Sequence, residues 1–466
     1  MDEAQRQGTE EGQLARLLRY ARPQRGPIRR AVFWSVSNKL LDLAPPGLIG
    51  MAVDIVVSRE GSLLARWGVR AVEDQLWILA GLTVLIWGLE SVTEYLLKWE
   101  WQRIAQRLQR SLRGDCYAHL HGLSSAWFSA RSPGELLATL NDDVNQLERF
   151  LNGGANALLQ LATTALTVSA VFFFFSPLVA SFAALPIPII LWGSFAFQRR
   201  IAPRYHEVRA RSAAIAQRLS DTLSGVEVVK SFTAEAREVE ALDALSREYE
   251  EANQRAINLS AAFSPLIRMA IVIGFTATLV IGGRLALAGE LEVGAYGMLV
   301  FLTQRLLWPL TSLGATFDLY QRAMASAGRA FTILDETPDL IGGDRALTRS
   351  AAATGTIKLE GVHFAYPKRA PVLQDFSLEI ATQRCTAIVG PTGSGKSTIA
   401  RLIARLYDPQ EGSITLDQQP LPSFDLGALR RAVGVVSQQV YLFDGTIREN
   451  LLYGRPEASE AELIEA

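Results

Sequence analysis

Residues 150–198, FLNGGANALLQLATTALTVSAVFFFFSPLVASFAALPIPIILWGSFAFQ, contain no Asp, Glu, Lys or Arg. As one helix at ~1.5 Å per residue this stretch would be roughly 73 Å long, more than twice the ~30 Å hydrocarbon core of a bilayer. One crossing cannot use it, but two can. Ser176-Pro177 near its middle is a natural turn, because Pro lacks the amide that continues a helical ladder. The stretch therefore reads as an outgoing span over 154–175 and a returning one over 178–197. A buried soluble hairpin is the competing reading, but the run is twice the length such cores use.

Composition agrees. Of 466 residues 49% are apolar and 20% charged, which excludes a disordered chain. Two cysteines, Cys116 and Cys385, stand in unrelated segments and offer neither a disulfide framework nor metal-ligand spacing. A net charge of −1 gives no polycationic surface for nucleic acid. A mean hydropathy of +0.15 lies between that of a soluble enzyme and that of a wholly membranous chain, pointing to spans plus a polar domain.

Four weaker apolar runs complete the pattern, over 28–57, 75–99, 259–286 and 294–313. Six spans put both termini on one side. The loops on the other side carry few cations (Arg59, Arg66 and Arg70, then none, then Arg284), whereas seven lie between Lys98 and Arg149 and ten between Arg199 and Arg255. The positive-inside rule makes both termini cytoplasmic. Residues 1–27 are too polar for a signal peptide, and 13–20 is amphipathic enough to lie on the membrane surface. If the second span continues to Gly122, it is a helix of about 72 Å, most of which stands outside the bilayer. Small carriers rarely need such stalks. Lys39, Asp42, Glu90, Glu94, Arg268 and Arg305 fall inside the expected spans, where charge usually faces a cavity or a partner. Lys39 and Asp42 share a helix face and can pair. Arg305 and Arg268 either face a water-filled cavity and touch an anionic or amphipathic cargo, or pair with Glu90 or Glu94. Pro45-Pro46 and Trp308-Pro309 are expected to kink the first and sixth spans.

After a polar linker over 336–354 the pattern changes to short β-like runs at 357–366, 376–380 and 384–389. The last leads into Gly390-Pro391-Thr392-Gly393-Ser394-Gly395-Lys396-Ser397, followed by the helix-like 398–407. This is the phosphate loop G-x-x-x-x-G-K-[ST] between a strand and a helix. Its glycines let main-chain N–H groups wrap phosphates, and the helix start adds a positive dipole end. Lys396 supplies a point charge to the β- and γ-phosphates and Ser397 a hydroxyl to Mg²⁺; Thr398 completes the set around ATP.

The whole chain from about residue 13 resembles a half-transporter of the ABC exporter family. Tyr366, in Val362-His363-Phe364-Ala365-Tyr366-Pro367, matches the aromatic that stacks on adenine. Gln438, in Val436-Ser437-Gln438-Gln439, matches the glutamine that contacts Mg²⁺ and the attacking water. Gly134-Glu135-Leu136 with Asn141-Asp142-Asp143, and Gly225-Val226-Glu227-Val228-Val229-Lys230-Ser231-Phe232, are similar to the two loops whose short helices press on the nucleotide domains. The resemblance places those contacts near 129–134 and 219–225. It implies an all-α six-helix membrane domain over 28–335 with long intracellular helices, then an incomplete α/β P-loop domain over 355–466. Gln438 and Lys396 would be catalytic, and ATP and Mg²⁺ the cofactors. The partners would be a lipid bilayer, an unidentified exported substrate and a second half-transporter, identical or different.

After Asn450 the family pattern asks for an LSGGQ-type signature loop, an apolar strand ending in Asp-Glu, and a switch histidine. All four histidines precede the phosphate loop. Asp417 comes too soon after Lys396 to be the metal-binding aspartate and reads as a turn residue. Leu223-Ser224-Gly225-Val226-Glu227 imitates a signature loop within the membrane half. The chain is thus expected to be truncated inside its nucleotide domain and, alone, unable to hydrolyse ATP usefully. Two rival readings are a non-hydrolytic partner subunit and a nucleotide-gated channel.

Overall fold

The computed structural model describes residues 3–347, 355–367, 369–438 and 440–465. Its principal helices, in chain order, are α1 (Glu3–Tyr20), α2 (Arg25–Asp42), α3 (Ala44–Ser58), α4 (Val72–His121), α5 (Ser125–Ser129), α6 (Ala155–Phe175), α7 (Pro177–Ala184), α8 (Pro186–Ser224), α9 (Val226–Ser231), α10 (Glu235–Leu287), α11 (Val293–Leu307), α12 (Leu313–Asp335) and α13 (Lys396–Ile403). The strands are β1 (Ile357–Ala365), β2 (Pro371–Ile380), β3 (Glu411–Leu416) and β4 (Gln419–Pro420). The chain forms two units, residues 1–117 with 137–334, and residues 118–136 with 335–466.

Five helical stretches of the described residues are long and apolar enough to cross a membrane: Arg22–Ser58, Val72–His121, Pro133–Phe175, Pro177–Ser224 and Glu235–Leu287. The charge-free stretch divides where proline demands. Ser176 is extended, and its hydroxyl accepts the Val179 amide to start α7. The first expected span breaks after Asp42, and α3 begins with Pro45 and Pro46 in its first turn. The sixth is interrupted likewise. Helix α11 has 15 residues, about 22 Å and short of a bilayer core, before a 3₁₀ turn at Trp308–Ser312 carries the chain into α12. Helix α4 runs 50 residues without a break, as the stalk argument expects.

Small residues set the closest approach. A Cβ on Gly50 would lie 2.6 Å from the Gly294 carbonyl, and one on Gly294 would lie 2.5 Å from that of Gly50. Helices α3 and α11 therefore touch backbone to backbone, the contact that glycine permits where no hydrophobic force drives helices together. Val168, Phe172, Val179, Ile190, Ile271, Leu299 and Leu307 form the main apolar cluster of the first unit.

One expectation needs correction here, and two others gain detail. The apolar side of α1 is covered in part by the protein itself, while Leu18 stays exposed. Leu17 is buried with Leu108, Leu112, Leu147 and Phe331 of the protein's own helices. Tyr20 donates to Asp115 at 2.5 Å, and burial beside that carboxylate pushes its hydroxyl pKa up. Arg305 pairs with neither Glu90 nor Glu94. Its guanidinium donates to Asp42 at 2.9 Å, while Glu94 takes Lys98 at 2.6 Å and Arg268 lies over the Trp308 ring. Asp42 is within reach of Lys39 by sequence spacing, but helix periodicity alone does not show that α11 packs against the same turn. Residues 219–224 end the long helix α8, and the separate short helix α9 follows because Gly225 closes the α8 ladder by donating to Asp221.

The second unit has a four-stranded antiparallel sheet in the order β2-β1-β3-β4. Leu359, Phe364, Ile414 and Leu416 face a core completed by Ile399 and Leu402 of α13 and by Phe424 and Leu429. Asp417 sits in the β3–β4 turn at positive φ and accepts the Thr356 amide at 3.0 Å. The expected strand at 384–389 has no ladder partner among the described residues, and Val389 is 87% exposed. An extended run needs a neighbouring strand to register as sheet, and β1 is already paired on both edges. The expected linker is not free over its first part. Gly343 donates to Phe424, Arg345 to Ser423 and Asp425 to Arg345, and the buried Arg405 guanidinium holds the Ile341 carbonyl at 2.9 Å. Residues 348–354 lie outside the described residues.

The Gly50–Gly294 contact makes a direct prediction. Gly294→Leu forces α3 and α11 apart, an overpacking worth about 1–3 kcal/mol. Its unfolding midpoint in detergent should fall by several degrees, whereas Gly297→Leu, with open space at its Cβ, should leave it in place.

Candidate functional site

The loop at 390–395 enters α13 through Gly395, which is buried and left-handed at φ +89°. A Cβ there would lie 2.9 Å from Leu373 of β2, so the sheet presses on the loop where only glycine fits. Gly393 has the same positive φ. From this start Lys396 curls back, its ammonium donating to the carbonyls of Gly390 at 2.8 Å and Pro391 at 2.7 Å. Thr398, Ile399 and Leu402 anchor the helix in the core and leave Ser397 facing outward. The loop thus collects a cation, a helix start and an exposed hydroxyl with no apolar cover, a donor set that fits a polyphosphate with its divalent cation.

Tyr366 follows β1. Its hydroxyl lies 3.1 Å from the Thr398 hydroxyl and accepts from Arg401 at 3.0 Å. The structure therefore brings Tyr366 to the helix that starts at Lys396, and gives the Thr398 side chain a partner on the tyrosine. Gln438 is exposed, and no hydrogen bond joins it to the loop among the described residues.

Sequence reasoning missed two residues that hold Tyr366. The Gln410 side chain accepts from the Ala365 amide and donates to the Ala365 carbonyl, both at 2.8 Å, copying a strand partner at the last residue before Tyr366. Tyr407 meets Tyr366 edge to face, with centroids 5.3 Å apart. Nothing in the local pattern of 407–410 marks these side chains, since their roles depend on strands distant in sequence. Beside them lies a cavity of about 450 Å³, walled by Tyr366, Arg369, Tyr407 and Gln410 and by Ser124 and Ala126.

Those last two belong to the segment 118–136, which packs within the same unit. Ser124 caps α5 by accepting the Trp127 amide and donates to Asp339 at 3.2 Å. Ser129 shares a 2.8 Å hydrogen bond with the Tyr407 hydroxyl. Arg131 covers the Trp127 ring and pairs with Glu336 at 2.6 Å. The expected contact at 129–134 is present at Ser129 and Arg131 and extends toward the amino terminus. The seated helix is Ser125–Ser129, because Ser124 supplies the cap and Ala126 and Trp127 the apolar face.

Apolar helices of bilayer length, joined to a unit built around a phosphate loop, define a membrane protein with a nucleotide-binding engine. Comparison with known proteins gives the particular family. The ABC transporter transmembrane region matches residues 30–310 and the ABC transporter family residues 373–466. An uncharacterized ABC transporter ATP-binding protein of Bacillus subtilis is 30% identical over 459 residues, covering 97% of this chain and 74% of that protein. The ATP-dependent lipid A-core flippase of Nitrosococcus oceani is 29% identical over 462 residues, with 97% and 74% covered. A fatty acid ABC transporter ATP-binding/permease protein of Mycobacterium tuberculosis is 32% identical over 361 residues, with 78% and 57% covered. The chain belongs to the ABC transporter family, in the exporter arrangement of a membrane domain followed by an ATP-binding domain.

The Gln410 clamp is testable. Gln410→Ala removes two hydrogen bonds worth ~1 kcal/mol each, part of which water restores. Affinity for a fluorescent ATP analogue should fall about three- to tenfold, with the circular dichroism spectrum unchanged.

Proposed function

We propose that the chain is one half of a dimeric exporter that uses ATP to drive an unidentified cargo out across the cytoplasmic membrane, with six spans and both termini cytoplasmic. One observation carries this reading. The unit that holds the phosphate loop also holds residues 118–136, which continue directly from the long helix α4. A displacement at Tyr366 has a short route, through Tyr407 and Ser129, to a helix whose other end is apolar enough to enter a bilayer.

In this reading the main-chain N–H groups from Gly390, Thr392, Gly393, Ser394 and Gly395 onward to Thr398 surround the phosphates, with Pro391 shaping the turn. Lys396 exchanges its two carbonyl partners for phosphate oxygens. Tyr366 offers a face to the adenine. Ser397 and Gln438 are the residues that would hold Mg²⁺, which when bound supplies charge neutralisation to the phosphates. Gln438 would approach only as the two halves close. Phosphoryl transfer is positioning and electrostatics, so closure of two halves over the nucleotide is what would set the rate.

Nucleotide titration of the chain in lipid nanodiscs tests the reading. Lys396→Ala should weaken binding of a fluorescent ATP analogue about ten- to hundredfold, the range of a lost charge-assisted contact. Ser397→Ala should remove only the part that depends on Mg²⁺. Particles should weigh as two 51.0 kDa chains plus the disc. Binding indifferent to Lys396 would sink the proposal.

A further inference from the structure

Four ionisable residues of the membrane helices, Lys39, Asp42, Glu90 and Arg305, lie near one another. Arg30 of α2 and Glu100 of α4 pair at 2.7 Å, with the carboxylate buried, at the edge of the expected first and second spans. Nine residues along α2 from Arg30 lies Lys39, and ten residues back along α4 from Glu100 lies Glu90. Asn38 donates to the Glu90 carbonyl at 3.1 Å, so the two helices agree on depth. At ~1.5 Å per residue both sites are roughly 14–15 Å beyond the Arg30–Glu100 pair, near the middle of a ~30 Å core.

At that level one carboxylate serves two cations. Asp42 accepts from Lys39 at 2.7 Å on one oxygen and from Arg305 at 2.9 Å on the other. Lys39 is 14% exposed and uses one of its three N–H donors on Asp42. Glu90 is within electrostatic reach of the cluster but forms no ion pair with it among the described residues. Beside Lys39 is a cavity of about 230 Å³, walled by α2, α6, the turn between α11 and α12 and the start of α12, and Lys39 is the charged group that lines it.

The rest of the lining is amphipathic. Thr164, Ser312 and Thr316 each donate to a carbonyl of their own helix or turn, and so present oxygen lone pairs. Gln160 donates to Asn38, leaving a second amide hydrogen. Leu158, Leu161 and Leu313 supply the apolar part. The volume is below the ~300–1,000 Å³ of sites that enclose a whole drug-sized molecule, so it suits a head group with its tail left outside.

We propose that this cavity binds the acidic head group of an amphiphile, a phosphate or a carboxylate held by Lys39 and Gln160, with hydroxyls on the same head donating to Thr164, Ser312 or Thr316 and an acyl chain running over Leu158 and Leu161. Resting on the exporter reading, this names the cargo class: an acidic lipid or fatty acid taken from the bilayer. Asp42 answers Lys39 and Arg305 with a single negative charge, and an acid entering beside Lys39 supplies a second.

The test uses the full chain in phosphatidylcholine nanodiscs, titrated with spin-labelled phosphatidic acid, palmitate or phosphatidylcholine. The acids should be immobilised and phosphatidylcholine should not. A preference for phosphatidic acid identifies a phosphate head, and one for palmitate a carboxylate; either supports the site. Lys39→Met should weaken acid binding at least tenfold, and Leu161→Trp, which fills the cavity and leaves every charge in place, should do the same. Equal retention of phosphatidylcholine, or unchanged acid binding in either variant, overturns the proposal. ATP-analogue binding on the same discs separates the two readings. Nucleotide binding that depends on Lys396, without acid binding that depends on Lys39, sinks the cavity alone; the converse sinks the exporter reading alone.

Discussion

A polypeptide inside hydrocarbon has no water to satisfy its amides, so each crossing must be an unbroken ladder or must break only where other protein groups cover the gap. Most of this structure follows from that constraint. Helix α4 runs 50 residues without a break, α10 keeps its course over 53 residues although Pro265 removes one ladder bond, and the chain breaks at Leu43, Ser176, Leu185 and the 308–312 turn lie at or close to prolines. A helix that cannot stop inside the bilayer is rigid where it leaves. The last residues of α4 belong to the second unit, and the short helix α5 follows them there.

Seating that helix uses ordinary interactions. Trp127 is buried under the Arg131 guanidinium, Ser124 and Asp339 fix the cap, and Ser129 meets Tyr407. None is strong alone. They matter because Tyr407 also packs on Tyr366, whose hydroxyl is tied to the first turn of the phosphate-loop helix. Three aromatic rings, Phe364, Tyr366 and Tyr407, meet edge to face around one point, the arrangement aromatic quadrupoles favour. The arrangement gives the loop and the seated helix a shared wall.

What can be read from the sequence divides by the range of the forces involved. The charge-free stretch, its turn at Ser176, the long stalk of α4, the Asp417 turn and the strand–loop–helix order around Lys396 are set by neighbours in the chain, and all are present except the ladder at 384–389. Partners across the fold are not legible. The span pattern offers Arg305 to Glu90 or Glu94, but α11 packs where Asp42 is nearer. Helix α1 shows an apolar face in its sequence without showing that the face belongs to Leu108, Leu112 and Phe331. Gln410 carries no local mark of its grip on the Ala365 main chain, because β1 lies 45 residues earlier.

The misplaced cation is the instructive case. Two arginines suggest cargo contacts because arginine is rare at that depth, yet each has found company, Arg305 on Asp42 and Arg268 over Trp308. Lys39, which the i,i+3 rule assigns wholly to Asp42, spends only one of its three N–H donors on that carboxylate, whose other oxygen takes Arg305. Counting donors against acceptors, rather than counting charges, locates the group that faces the cavity. A single carboxylate between two cations also ties α2 to α11, the helices that end at the Asp42 and Trp308 breaks. Any motion at those breaks must carry Asp42 with it, and so must change how much of Lys39 the cavity receives.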